Sequence, residues 1–228
     1  KMLLWEKKAF LEGATLIIGL DEAGRGPLAG PVVAGAVSLK QSPLKRFALP
    51  HYKERLDDSK KITQLQREKS FQEITKRSLF ATAAKNHRFI DKKNIYQATS
   101  FAMKDAVRSL VKEYCRSNNK KEKKIRKAIC VLVDGNMDPG LPYRTVRIVK
   151  GDSRSLSIAA ASIVAKVTRD RMMVSYDKRF PEYGFSRHKG YGTRSHMKAI
   201  KEHGPCSIHR RSFAPIREDG RLYTRGAA

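Results

Sequence analysis

Three short apolar runs in this chain each lead into acid. Residues 15–20 (TLIIGL) lead into Asp21-Glu22, residues 129–133 (ICVLV) into Asp134, and residues 145–149 (TVRIV) into Lys150-Gly151-Asp152. Runs of this length and composition read as buried strands. Residues 31–39 (PVVAGAVSL) form another and residues 78–84 (SLFATAA) a weaker one. Helical patterns lie between them. Residues 63–77 are amphipathic, with Leu65, Lys69, Gln72 and Lys76 marking the turns, and residues 94–115 carry the stripe Ala98, Phe101, Ala102, Ala106, Leu110, Val111. Residues 155–176 are Ala-rich with a continuous small-residue face, and residues 195–203 form a shorter helix. Strands alternating with helices predict an α/β sandwich. No internal repeat and no Gly/Ser linker calls for a second domain, so residues 1–228 are expected to form one domain.

The acids matter because of where parallel strands end. In an α/β sheet the carboxyl ends of parallel strands share one edge, and sites form there. If the first, fourth and fifth strands are parallel neighbours, Asp21, Glu22, Asp134 and Asp152 converge. Four carboxylates in one pocket repel and call for a counter-cation; hard oxygen ligands select Mg²⁺ or Mn²⁺ over zinc. One strand-end Asp is most simply a turn or helix-capping residue. Three such strands in one basic chain favour a metal site.

The chain is strongly basic, 48 Lys and Arg against 22 Asp and Glu in 228 residues, a formal charge of +26. Such a charge favours a polyanionic partner, nucleic acid above all, over a merely soluble surface. Residues 116–127 (RSNNKKEKKIRK) read as a solvated connector. The segment from Lys178 onward interleaves basic residues with His, Tyr, Gly and Ser and suits a phosphate backbone better. The three cysteines, Cys115, Cys130 and Cys206, make no CxxC and point to a reducing, cytoplasmic setting. Neither a membrane span nor a signal-peptide apolar region is visible. His203-x-x-Cys206-x-x-His209 has a superficial zinc spacing, but as a lone half-motif around Pro205 it is read as no zinc site. Gly24-x-Gly26-x-x-x-Gly30 has the wrong spacing for a dinucleotide fingerprint, and Pro27 and Pro31 do not suit a helix opening there. No phosphate loop and no GxSxG elbow occurs. The glycines after the acidic pair instead suit a tight turn whose bare backbone can approach a ligand.

Residues 21–37 (DEAGRGPLAGPVVAGAV) resemble the signature of type 2 ribonuclease H, the bacterial ribonuclease HII family. Further blocks match in order: Asp58-Ser59-Lys60; Val133-Asp134-Gly135; Lys150-Gly151-Asp152 followed by residues 159–171 (AAASIVAKVTRDR); residues 188–193 (HKGYGT); and residues 209–213 (HRRSF). Together they span residues 17–213. The resemblance implies a ribonuclease H-like mixed five-stranded sheet flanked by helices. It places a catalytic core at about residues 14–180 and a basic, helical C-terminal extension at about residues 181–228. It also implies a catalytic and metal-binding set of Asp21, Glu22, Asp134 and Asp152. Asp170 competes for the fourth place, but the Lys-Gly-Asp block matches at Asp152. Ribonucleotide recognition would fall on Gly24, Arg25, Gly26 and Tyr191.

The implied reaction is hydrolysis of the RNA strand of RNA–DNA hybrids, and nicking 5′ to single ribonucleotides in duplex DNA, leaving 3′-hydroxyl and 5′-phosphate ends. Two divalent ions, Mg²⁺ or Mn²⁺, about 4 Å apart would activate water and stabilise the leaving oxygen. Ser59, Lys60 and Lys166 are candidate phosphate contacts, with Ser162 and Thr193 as further anchors. The chain is expected to act as a monomer, without a sliding-clamp motif. The alternative is a non-catalytic basic RNA- or DNA-binding protein, which would gain nothing from four carboxylates beside its ligand.

Overall fold

The computed structural model describes residues 2–39, 52–54, 56–59 and 61–216. In chain order the elements are α1 (Leu4–Leu11), β1 (Leu16–Ala23), β2 (Val32–Leu39), α2 (Gln64–Arg77), β3 (Ser78–Lys85), α3 (His87–Lys93), α4 (Ile95–Ser117), α5 (Glu122–Ile125), β4 (Ile129–Asp134), β5 (Arg144–Ile148), α6 (Leu156–Arg179), α7 (Phe185–His188) and α8 (Arg194–His203). The strands form one sheet in the order β3-β2-β1-β4-β5. β1, β2 and β3 pair antiparallel, whereas β1, β4 and β5 run parallel. The mixed five-stranded sheet is therefore present, with the three acid-bearing strands as parallel neighbours.

Both faces of the sheet are covered, which is why β1 and β2 read as continuous apolar runs rather than alternating ones. Leu16, Ile18 and Leu20 of β1, with Val131 and Val133 of β4, pack beneath Ala102, Ala106 and Leu110 of α4. On the other face Ile17 and Leu132 meet Ile158 of α6, and Val37 meets Ala160, Ala161 and Val164. α6 lies almost on the sheet backbone. A Cβ at Gly19 would stand 2.1 Å from the Ser157 carbonyl, and one at Gly35 2.5 Å from the Ala161 oxygen. The small-residue face of α6 and the two strand glycines are complementary surfaces, and the helix is buried nearly all round from Ser157 to Ala165.

Some expected details differ. α2 starts after Thr63, whose side chain and that of Gln66 form a reciprocal capping box. Its packed side is Ser70 and Ile74, while Leu65 is 68% exposed; the four residues marking its turns trace the solvent stripe instead. On α4, Phe101 is turned outward, edge-on to Phe89 at 5.4 Å, and Met103 and Val107 complete the buried stripe. α1 has no counterpart in the sequence reading. It buries Glu6, whose Oε1 accepts from Ser155 Oγ (2.6 Å) and Ser157 N (2.9 Å), so a carboxylate from α1 caps α6.

The last turns of α6 overrun the sheet and carry a separate apolar cluster. Met173 there packs with Tyr183, Phe185, Ile200, Ile208 and Leu28. This is the expected helical C-terminal extension; residues 217–228 lie outside the described residues. It is laced to the loop after β1 by Gly30 N to Ile208 O (2.9 Å) and Arg210 N to Leu28 O (2.8 Å). Among the described residues no helix is long and apolar enough to cross a membrane.

Candidate active site

β1 and β4 are paired in parallel up to Leu20 and Val133, so the next step brings Asp21 beside Asp134. Leu20 and Val133 face α4, and alternation turns Asp21 and Asp134 to the α6 side. The strand does not stop at the acidic pair, as the sequence pattern suggests. It continues to Ala23 because β2 still pairs with it, Asp21 opposite Gly35 and Glu22 opposite Ala34. Glu22 accordingly alternates to the other side, where Oε1 pairs with Arg25 Nη1 at 3.2 Å.

Asp21 is 6% exposed. Burial, and then the charges of Glu22 and Asp134, raise its carboxyl well above the usual carboxylate range. Hydrogen bonds from its neighbours act the other way. The Glu22 amide donates to Oδ1 at 2.7 Å, and Ser162 of α6 donates from its hydroxyl. The Ser162 hydroxyl is also in hydrogen-bond contact with that of Ser59, at 2.9 Å. Both serines are buried, so the structure sets them behind Asp21.

Asp134 Oδ1 accepts from Gly151 N (2.6 Å) and Asp152 N (3.4 Å), which folds the turn at Gly151–Ser153 against the end of β4. Asp152 is itself buried, at the start of the segment leading into α6. The four strand-end acids thus lie on adjoining elements. All their donor atoms are hard oxygens, and Asp21 would gain most from a nearby cation. They form an open set: among the described residues no three His, Cys, Asp or Glu side chains are gathered closely enough to enclose an ion. Asp170 lies four residues beyond Lys166 on α6 and pairs with it at 2.8 Å. That ion pair occupies the Lys166 ammonium, whose pKa burial lowers. Lys60 falls outside the described residues. Thr193 is the N-cap of α8, accepting from His196 N at 3.3 Å.

The Gly24–Gly26 turn follows β1 directly. Gly24 has φ +96°, and a Cβ there would stand 2.0 Å from Arg169 Nε. Gly26 faces Tyr191, whose Cε1 lies 3.8 Å from its Cβ direction; the Tyr191 side is 45% exposed. Behind the turn sit two fully buried arginines that the sequence reading did not single out. Arg210 donates to the carbonyls of Gly24, Arg25 and Gly30, and Arg169 to those of Ala29, Pro31 and Lys189. Both lie within matched blocks, but one arginine among 48 basic residues carries no sign of burial. Burial lowers Arg210 to about 9, helped by the Arg169 charge, and lowers Arg169 to about 10.

His209 takes part in a histidine stack. His196 Nδ1–H donates to the Tyr191 carbonyl (2.9 Å), so its Nε2 accepts from His209 Nε2–H at 3.0 Å. His188 stacks on His196 with ring centroids 4.4 Å apart. Cys206 keeps its proton, its thiol pushed up to about 11 by burial.

The sequence profile of ribonuclease HII matches residues 18–216. Ribonuclease HII of Ruminiclostridium cellulolyticum is 46% identical over 214 residues, 93% of this chain and 75% of that protein. Ribonuclease HII of Rhizobium meliloti is 48% identical over 94% of this chain and 89% of its own length. Among solved structures, ribonuclease H2 from Pyrococcus horikoshii OT3 superposes with a TM-score of 0.66 at 24% identity, covering 89% of this chain and 96% of that one. Bst-RNase HIII in complex with Mn²⁺ gives 0.65 at 16% identity, covering 91% and 70%. At these identities the two structures establish the shared fold.

Proposed function

The chain belongs to the ribonuclease HII family, endonucleases that cleave RNA in RNA–DNA hybrids, and we propose that it also nicks duplex DNA on the 5′ side of single ribonucleotides. The products are a 3′-hydroxyl and a 5′-phosphate. The observation that carries the site assignment is the nearness of Asp21 and Asp134, each one step beyond the last β1–β4 pair, Leu20 and Val133, with the Asp152 turn hydrogen-bonded to Asp134. Asp21, Glu22, Asp134 and Asp152 would hold the divalent cations, as hard-oxygen donors whose mutual repulsion a cation relieves. The fold relative crystallised with Mn²⁺ supports that reading. When bound, two Mg²⁺ or Mn²⁺ ions supply acidified water and charge neutralisation at the leaving 3′-oxygen.

The remaining work belongs to the chain. Ser162, backed by Ser59, orients Asp21, and the Gly151 amide orients Asp134. The Gly24-Arg25-Gly26 turn approaches the ribose closely because it carries no side chain at its two ends. The 2′-hydroxyl is what such backbone groups can read to tell RNA from DNA. Tyr191, across from Gly26, packs on the neighbouring deoxyribose, where no 2′-hydroxyl stands in the way. The basic C-terminal segment holds the duplex through its phosphates, independently of sequence.

The test is cleavage of a DNA duplex containing one ribonucleotide, and of an RNA–DNA hybrid, by metal-stripped protein across Mg²⁺ and Mn²⁺ titrations. Cleavage of both only with metal added, 5′ to the ribonucleotide, is expected. Absence of cutting at the single ribonucleotide at every metal concentration overturns the proposal.

A further inference from the structure

Arg210 is 0% exposed, yet it carries a guanidinium for which the structure provides no carboxylate hydrogen-bond partner among the described residues. Burying such a charge costs several kcal/mol, and a second buried guanidinium, Arg169, lies close enough to add to that cost. The compensation is entirely backbone: Nε to Gly30 O (3.0 Å), Nη1 to Arg25 O (2.8 Å) and Nη2 to Gly24 O (2.5 Å). The face of the guanidinium also lies 5.0 Å from the Phe213 ring centroid. A planar fork pointing at two successive carbonyls is a geometry a lysine cannot reproduce.

The consequence lies on the other side of those two peptides. They are trans, since the single cis bond among the described residues is Ala214-Pro215. In a trans peptide the C=O and the N–H point in opposite directions. With the Gly24 and Arg25 carbonyls drawn inward to Arg210, the N–H groups of Arg25 and Gly26 are turned away from it. Among the described residues neither N–H donates to a protein acceptor. A cation on the carbonyl also polarises the peptide and makes its N–H a stronger donor.

We propose that Arg210 is a positioning residue for ribose selection: by holding the Gly24 and Arg25 carbonyls, it aims the Arg25 and Gly26 N–H groups at the substrate 2′-oxygen. The inference rests on the reading of the Gly24–Gly26 turn given above and names the residue that sets it. Arg169 holds the flanking Ala29, Pro31 and Lys189 carbonyls and leaves the two peptides of the turn to Arg210.

The test separates recognition from chemistry. Fluorescence anisotropy, with metal chelated, compares binding to a duplex containing one ribonucleotide and to the same duplex in all-DNA form. Wild type is expected to prefer the ribonucleotide duplex. Arg210→Lys is expected to lose at least about tenfold of that preference while its affinity for all-DNA duplex stays the same. An unchanged preference, or equal weakening on both duplexes, assigns Arg210 a merely structural role and overturns the proposal. A second measurement covers a variant that fails to fold. In wild type, the Arg25 and Gly26 amide protons should shift downfield on adding the ribonucleotide duplex and not on adding all-DNA duplex. Identical spectra with the two duplexes overturn the proposal independently. Neither readout needs cleavage, so absence of nuclease activity would count against the proposed function and leave this inference to be judged by binding alone.

Discussion

Lowering the pH from 7.5 to 5 should destabilise this protein through two buried histidines. His196 and His209 are essentially inaccessible and share one proton across a 3.0 Å Nε2–Nε2 contact. A second proton would set two N–H groups against each other, next to the Arg211 cation and under the stacked His188. Burial lowers His196 from the ordinary 6.5 to about 4; burial, then the neighbouring His196, lowers His209 to about 3. Between those values and 6.5 the unfolded chain binds more protons than the folded one, so stability rises with pH across that window. The contribution is complete above pH 6.5 and declines as pH falls toward the folded values. At pH 5 linkage gives about 2 kcal/mol per histidine, and about 4 kcal/mol for the pair as an upper figure, a large fraction of a typical 5–15 kcal/mol total. Asp21 acts in the opposite sense, because its raised pKa makes protonation favour the fold as pH falls. The assay is urea unfolding followed by far-UV circular dichroism at pH 7.5, 6 and 5. The His209→Phe variant packs an aromatic ring against Tyr183 and Phe185 and removes one titration, so its pH-dependent loss should shrink by about 2 kcal/mol. A wild-type stability that is flat over this range, or a variant with the same slope, would refute the reasoning.

Three further outcomes are expected. Gly19→Ala places a Cβ 2.1 Å from the Ser157 backbone, so α6 has to move off the sheet; the cost is about 1–3 kcal/mol or more, read as a lower urea midpoint. Asp134→Asn keeps the size of the side chain that meets the Gly151 amide but removes its charge. Cleavage should fall by about 100-fold or more while duplex affinity changes by less than about threefold; joint collapse of both would make Asp134 structural. Tyr191→Ala should lower cutting at isolated ribonucleotides by about fivefold or more relative to cutting within long hybrids, the scale of one lost aromatic contact. Equal losses on the two substrates would remove Tyr191 from recognition.

Much of the fold and of the acidic site was legible in one dimension, for local reasons. Strands buried on both faces have to be apolar throughout, so β1, β2 and β4 stand out as runs, and a charged residue at their end is conspicuous. α6 is recognisable because a helix lying against Gly19 and Gly35 has to be built from small residues. Where local pattern and packing part company, the reading fails. Leu65 and Phe101 are apolar but outward-facing, because the faces of α2 and α4 are chosen by what lies beneath them. α1 is short, and the residue that anchors it is a buried glutamate, the opposite of an apolar signal.

What the sequence determined by itself is the chemistry available: four strand-end carboxylates, a glycine-flanked turn, and an excess of positive charge to hold a polyanion. Their spacing along the chain also identifies the family. The tertiary structure decided which groups those residues actually meet. Ser59 lies 103 residues from Ser162 and Arg210 lies 186 from Gly24, separations at which no local pattern can report a contact. Pairing in three dimensions set two serines behind Asp21, left Lys166 bound to Asp170, and buried two arginines among backbone carbonyls. A charge counted in sequence is only a sign; its depth and its partners, which set its energy, exist only once the sheet and its helices have closed around it.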